Sequence, residues 1–128
     1  GHHILLVEDN AINQIVATSI IEGAGFIVDV ANNGKEAIEL LQAAGEDCVY
    51  SLIVMDCQMP EMDGFEATRQ IRKGTAGAQY HQVPIVAMTA NAMQSDKEMC
   101  MKAGMDDFLT KPIDKDTLIT CIRKYLGE

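Results

Sequence analysis

The stretch "LIVMDCQMPEMDG" (52–64) runs through four apolar residues and meets an acid at Asp56. It then turns through a Met- and Pro-rich loop closed by Asp63 and Gly64. A continuous apolar run of this length, bounded by turn residues, reads as a strand buried on both faces. Extended back to Tyr50, "YSLIVMD" (50–56) is the most apolar strand of the chain and is expected at the centre of a sheet. An acid at its end either caps a helix, lies at the surface by accident, or reacts. In the loop, Pro60 is expected to stiffen the turn and Gly64 to supply an unusual backbone angle. Met59 and Met62 suit an adaptable contact surface or plain loop packing equally well.

Outward from this strand the hydrophobic period changes repeatedly. "ILLVEDN" (4–10) is a short apolar run ending in acids, and "FIVDV" (26–30), "VPIVAMTA" (83–90) and "DDFLTKP" (106–112) complete a set of five strands. Pro84 lies near a strand start, where proline does least harm. Between the strands lie helical patterns. Asn10 is a plausible cap for a helix whose Ile12, Ile15, Val16 and Ile20 share a face, and Gly23 with Gly25 stops it. Ala37, Leu40, Leu41 and Ala44 mark a second helix, and "GFEATRQIRKG" (64–74) a third. "TAGAQYHQ" (75–82) reads as a surface loop and "NAMQSDKEMCMKAG" (91–104) as a weaker helix. The last helix, "DKDTLITCIRKYL" (114–126), carries Leu118, Ile122, Tyr125 and Leu126 on one face, with acids at its start and Arg123 and Lys124 near its end. Strict alternation of strand and helix implies one α/β domain. Its fold is a doubly wound five-stranded parallel sheet with five helices on two faces.

The composition narrows the function. With 128 residues, 48% of them hydrophobic, the chain is long enough for one core. A net charge of −9 argues against a nucleic-acid surface and fits a cation binder or a solvated acidic face. Cys48, Cys57, Cys100 and Cys121 have no CxxC pairing and no ligand spacing with His, so they read as reduced, mostly buried residues. No apolar stretch approaches a membrane span and no signal peptide is evident, so a cytoplasmic domain is expected. "GHH" (1–3) reads as an appended remnant ahead of a domain at 4–128.

In a doubly wound sheet the carboxyl ends of the strands share one edge, where ligands bind. The strand ends bring Glu8 and Asp9, then Asp56, then Thr89, then Lys111 to that edge. A glycine-rich nucleotide fingerprint is absent there. Three carboxylates without a partner would resist joint ionisation, and a hard divalent cation resolves this. Mg²⁺ suits a site with few carboxylates. Taken singly, Asp9 would be an ordinary helix-start acid and Lys111 a solvated lysine; together they make a site.

"VEDN" (7–10), "IVMDCQMPEMDG" (53–64), "MTA" (88–90) and "TKP" (110–112) resemble the receiver domains of two-component response regulators, in order and each at a strand end. "DNAINQ" (9–14) and "CMKAGMDDFLTKPI" (100–113) look most like receivers of hybrid sensor histidine kinases. The resemblance implies the flavodoxin-like strand order 2-1-3-4-5. It also implies a phosphorelay role in which Asp56 accepts a phosphoryl group from phosphohistidine, with Mg²⁺ held by Glu8, Asp9, Asp56 and the backbone carbonyl of Gln58. Lys111 would neutralise phosphoryl charge. Thr89 would move toward the phosphoryl group and Phe108 would rotate into the vacated space, as a switch; a plain core aromatic is the simpler reading of Phe108. Gln58 and Asn91 would tune hydrolysis, the Lys111–Pro112 bond would be cis, and Cys57 would point harmlessly to the other face.

As an enzyme, such a domain catalyses only its own phosphorylation and slow dephosphorylation. Its partners would be a histidine kinase or a histidine phosphotransfer domain, docking through Ile12, Ile15 and Pro112, with no nucleic acid or membrane contact. Core packing explains the two isoleucines equally well. The parent protein would be a hybrid kinase, with the inner membrane as its anchoring place. The alternatives are a stand-alone single-domain regulator, an unphosphorylated pseudo-receiver, and a Mg²⁺-dependent phosphatase. The phosphatase ranks last because Gln58 stands where a second acid is wanted.

Overall fold

A computed structural model describes residues 2–44, 50–57, 63–77, 80–89, 94–111 and 113–127. The chain alternates strand and helix throughout: β1 (His3–Val7), α1 (Ala11–Gly23), β2 (Ile27–Ala31), α2 (Gly34–Ala44), β3 (Leu52–Asp56), α3 (Gly64–Arg72), β4 (Ile85–Thr89), α4 (Gln94–Ala103), β5 (Asp107–Thr110) and α5 (Lys115–Leu126). The strands form one sheet in the order β2-β1-β3-β4-β5, and every described pairing is parallel. This is the fold and strand order expected, with the apolar β3 at its centre.

Strand side chains alternate between two faces, and here both faces are buried. Leu5, Val7, Ile53, Met55, Ile85 and Ala87 point into one core with Ala37, Ile38 and Leu41 of α2 and Ala67 and Ile71 of α3. Ile4, Leu6, Leu52, Val54, Val86 and Met88 point into the other, against Ala17 and Ile21 of α1 and Leu118, Cys121 and Ile122 of α5. Apolar surface leaving water on both sides at roughly 25 cal/mol per Å² holds the three layers together.

Local signals set the helix ends. Asn10 Oδ1 accepts the N–H groups of Ile12 and Asn13 at 2.9 and 3.1 Å, and Asp63 accepts that of Glu66 at 2.9 Å. Asp114 caps α5 through the Thr117 N–H at 3.0 Å. Its carboxyl is held below the usual range by the Thr117 backbone and hydroxyl. Such caps satisfy N–H groups that have no partner within the helix.

Two expectations are corrected. The segment 75–82 is not simply surface, because Ala76 and Tyr80 lie in the first core, Tyr80 beside Tyr50 at a ring separation of 6.3 Å. A large aromatic contributes more by filling space in that core than by exposure. The shared face proposed for α1 is also not its buried one. Ala17 and Ile21 are buried, whereas Ile12, Ile15 and Val16 are 72%, 67% and 44% exposed. The helix is apolar on more than one side, so periodicity alone could not choose which side packs.

Cys57, Cys100 and Cys121 are buried and outside any disulfide, as expected, with the sulfurs of Cys57 and Cys100 3.9 Å apart. Cys48 lies outside the described residues. No helix among the described residues is long and apolar enough to cross a membrane.

Candidate functional site

Register explains how residues distant in sequence meet. Val7 pairs with Met55, Asp56 with Met88, and Thr89 with Thr110, so the strands end nearly level. The Lys111 N–H continues this ladder by donating to the Thr89 carbonyl at 2.7 Å. Alternation then sorts the side chains. Glu8 follows Ile4 and Leu6, Asp56 follows Leu52 and Val54, and Lys111 follows Leu109, all on the α1/α5 face. Thr89 follows Ile85 and Ala87 on the opposite face, the face of Phe108.

The acids and the lysine are in contact. Lys111 Nζ donates to Asp56 Oδ2 at 3.1 Å and to Glu8 Oε2 at 3.4 Å. Glu8 is fully buried and Asp56 only 3% exposed, while Asp9 stands in solvent. Burial pushes the Glu8 carboxyl up to about 7, and proton sharing with Asp56 adds to the effect; Asn13 and Lys111 pull against it. Burial lowers the Lys111 ammonium, but the hydrogen bond and charge of Asp56, with Glu8 behind them, more than offset this and leave it raised. One ammonium therefore faces two buried carboxylates and a third acid close by.

A hard cation fits that imbalance. Ligand oxygens of Glu8, Asp9 and Asp56 lie within 4.8 Å of one another. Mg–O bonds of about 2.1 Å place opposite ligands about 4.2 Å apart, so one ion can span the set with small side-chain movements. The three acids line an open cleft of about 310 Å³ with Asn10, Asn13, Thr89 and Lys111. Glu8, Asp9, Asp56, Thr89 and Lys111, read as a group from the strand ends, thus share one cleft.

Asn13 was missed. Its amide donates to Glu8 Oε1 at 2.7 Å. The available signal was its place one turn into a helix that starts at the functional edge. Gly64 has a different cause from the one expected. It does not adopt a positive φ; instead, a Cβ there would sit 2.2 Å from the Asp56 carbonyl oxygen. Glycine lets α3 start against the end of β3, with Gly64 N–H donating to the Cys57 carbonyl at 3.2 Å. Phe108 is half-buried against the first core, with Lys97 Nζ 5.0 Å from its ring centre. Ile12 and Ile15 are exposed beside the cleft on α1. Gln58, Met59, Pro60, Met62, Asn91 and Pro112, and with Pro112 the expected cis bond, lie outside the described residues.

Residues 4–123 match the family described as response regulator receiver domain. The chain is 46% identical over 133 residues to hybrid signal transduction histidine kinase B of Dictyostelium discoideum, covering 97% of this chain but only 7% of that protein. A solved receiver domain of a sensor histidine kinase from Pseudomonas aeruginosa, with a magnesium ion coordinated in its active-site cleft, is 39% identical. It has a TM-score of 0.87, over 100% of this chain and 99% of that one. The receiver of a Saccharomyces cerevisiae response regulator, co-crystallised with its histidine phosphotransfer protein, is 34% identical with a TM-score of 0.84, over 97% and 88% of the two chains. Sequence, fold and cleft agree: the chain belongs to the response regulator receiver domain family, the phosphorelay modules of two-component signalling.

Proposed function

We propose that Asp56 is the phosphoacceptor. A carboxylate oxygen of Asp56 attacks the phosphorus of a phosphohistidine, the P–N bond breaks, and the imidazole leaves with the bonding pair and takes up a proton. The product is an acyl phosphate on Asp56. Glu8, Asp9, Asp56 and the Gln58 carbonyl would hold Mg²⁺, which when bound supplies positive charge for the phosphoryl oxygens. Lys111, already on the Asp56 carboxylate at 3.1 Å, adds a second positive charge and shifts from carboxylate to phosphoryl oxygen. The observation that carries this reading is the gathering of three acidic oxygen sets within 4.8 Å beside that ammonium.

Downstream, Thr89 donates its hydroxyl to the phosphoryl group, and Phe108, on the same face one strand away, turns into the space released. Phe108 lacks a hydroxyl, so its inward state gains packing without a terminal hydrogen bond. Gln58 and Asn91 set how readily water reaches the acyl phosphate. Among whole-protein readings we favour a hybrid histidine kinase with a cytoplasmic receiver, whose sheet already begins at His3 and so takes in part of the segment read as a remnant. The similarity to a hybrid kinase over 97% of this chain supports it. The natural donor is then a histidine phosphotransfer domain or the kinase's own histidine. Ile12, Ile15 and Val16, apolar and exposed next to the cleft, suit its docking; Pro112 is a further candidate on the family resemblance alone.

A phosphotransfer assay tests the reading. Radiolabelled phosphohistidine on a histidine phosphotransfer protein should pass its label to this domain and not to Asp56→Asn. Retention of label on that variant would place the acceptor elsewhere, and no transfer to wild type would favour an unphosphorylated binding module.

A further inference from the structure

The sequence "DNAINQ" (9–14) places three amides on the first turns of α1, and each has a separate task. Asn10 caps the helix and so fixes the backbone at Asn13. Gln14 Nε2 donates to the Glu8 backbone carbonyl and to Asn32 Oδ1, tying the chain just after β1 to the loop after β2. Asn13 Nδ2 donates to Glu8 Oε1 at 2.7 Å. The Glu8 carboxylate is therefore divided. One oxygen is taken by a neutral donor from α1, and the other is turned toward Lys111 and Asp56.

A carboxylate's terminal torsion is soft, so a buried Glu side chain keeps one orientation only when something else holds it. Side chains that hold a metal ligand commonly govern affinity as strongly as some ligands do. We propose that Asn13 is a positioning residue for the cation site: it fixes Glu8 with one oxygen facing the cleft, and thereby sets the affinity for Mg²⁺. This rests on the reading of the acidic cleft as a Mg²⁺ site. It is independent of phosphoryl transfer, because the arrangement exists before any phosphoryl group arrives.

Titration calorimetry with MgCl₂ on the unphosphorylated domain tests it, with thermal unfolding in EDTA as the companion measurement. Asn13→Ala should weaken Mg²⁺ binding by about tenfold, the low end for such supporting residues. Asn13→Gln, which keeps an amide donor, should recover part of the loss. The two variants should melt together in EDTA, while Mg²⁺ raises the melting temperature of Asn13→Ala least. Undiminished affinity in Asn13→Ala would overturn the proposal. So would a loss in both variants that follows a lowered melting temperature in EDTA, because the role would then be structural. A wild type that binds no Mg²⁺ would overturn the reading of the cleft itself, and the proposal with it.

Discussion

Beside the start of β1 and β3, Asp29 accepts hydrogen bonds from His3 Nε2 at 2.7 Å and the Tyr50 hydroxyl at 2.6 Å, one acid met by two donors. At the carboxyl ends of the same strands, oxygens of Glu8, Asp9 and Asp56 lie within 4.8 Å of one another, with Lys111 on Glu8 and Asp56 and Asn13 on the other oxygen of Glu8. The first matches one mid-strand acid of β2 to two hydrogen-bond donors, whereas the second sets three acids at strand ends against one ammonium among the described residues. A balanced cluster only holds structure. An unbalanced one, with two of its acids buried, is eased by an added cation, and that points to function at this end.

The largest expected contrast comes from the proposed nucleophile. Asp56→Asn should bring phosphoryl incorporation to background while the domain stays folded; unfolding measured by circular dichroism would instead show the acid to be structural. Next is Gly64→Ala, whose methyl would meet the Asp56 carbonyl oxygen at 2.2 Å. A loss of about 3 kcal/mol in urea unfolding is expected, since backbone and not a flexible side chain must move.

The charge imbalance itself gives a pH signature. The Glu8 carboxyl titrates near 4.5 when unfolded and at about 7 in the fold. Between those values the unfolded chain releases a proton that the folded chain retains, so stability of the metal-free domain falls as pH rises through that window and levels above it. Glu8→Gln in EDTA should remove this fall, gaining on the order of 3 kcal/mol above about pH 7 and nothing below about pH 4.5. Parallel stability curves for the two proteins would contradict the imbalance. The smallest effect belongs to the balanced cluster: Asp29→Asn should cost about 1 kcal/mol and leave phosphorylation unchanged.

How far the sequence discloses the molecule follows the same division. Strand ends were legible because apolar runs stop at Glu8, Asp56 and Thr89, and the short strand carrying Phe108 and Leu109 stops at Lys111 before a proline; a parallel sheet sends such ends to one edge. The outer face of α1 was not legible, because Ile12, Ile15 and Val16 look like core until Ala17 and Ile21 are seen to fill that role. Tyr80 was hidden in a polar segment, where one buried ring leaves no periodic trace. Gly64 was recognised as necessary for the wrong reason: close approach to another backbone leaves the same residue in the sequence as an unusual dihedral does. Asn13 escaped because an amide on a helix surface reads as solvated until its partner is located.

The central claim, that the surplus acids at one end of the sheet make a cation-dependent phosphoacceptor, is tested most directly by intact-mass measurement after incubation with a small phosphodonor. With Mg²⁺ the wild type should gain one phosphoryl group, stable in acid and labile in base, and in EDTA it should gain none. Equal labelling with and without Mg²⁺, or no labelling in either, would contradict it.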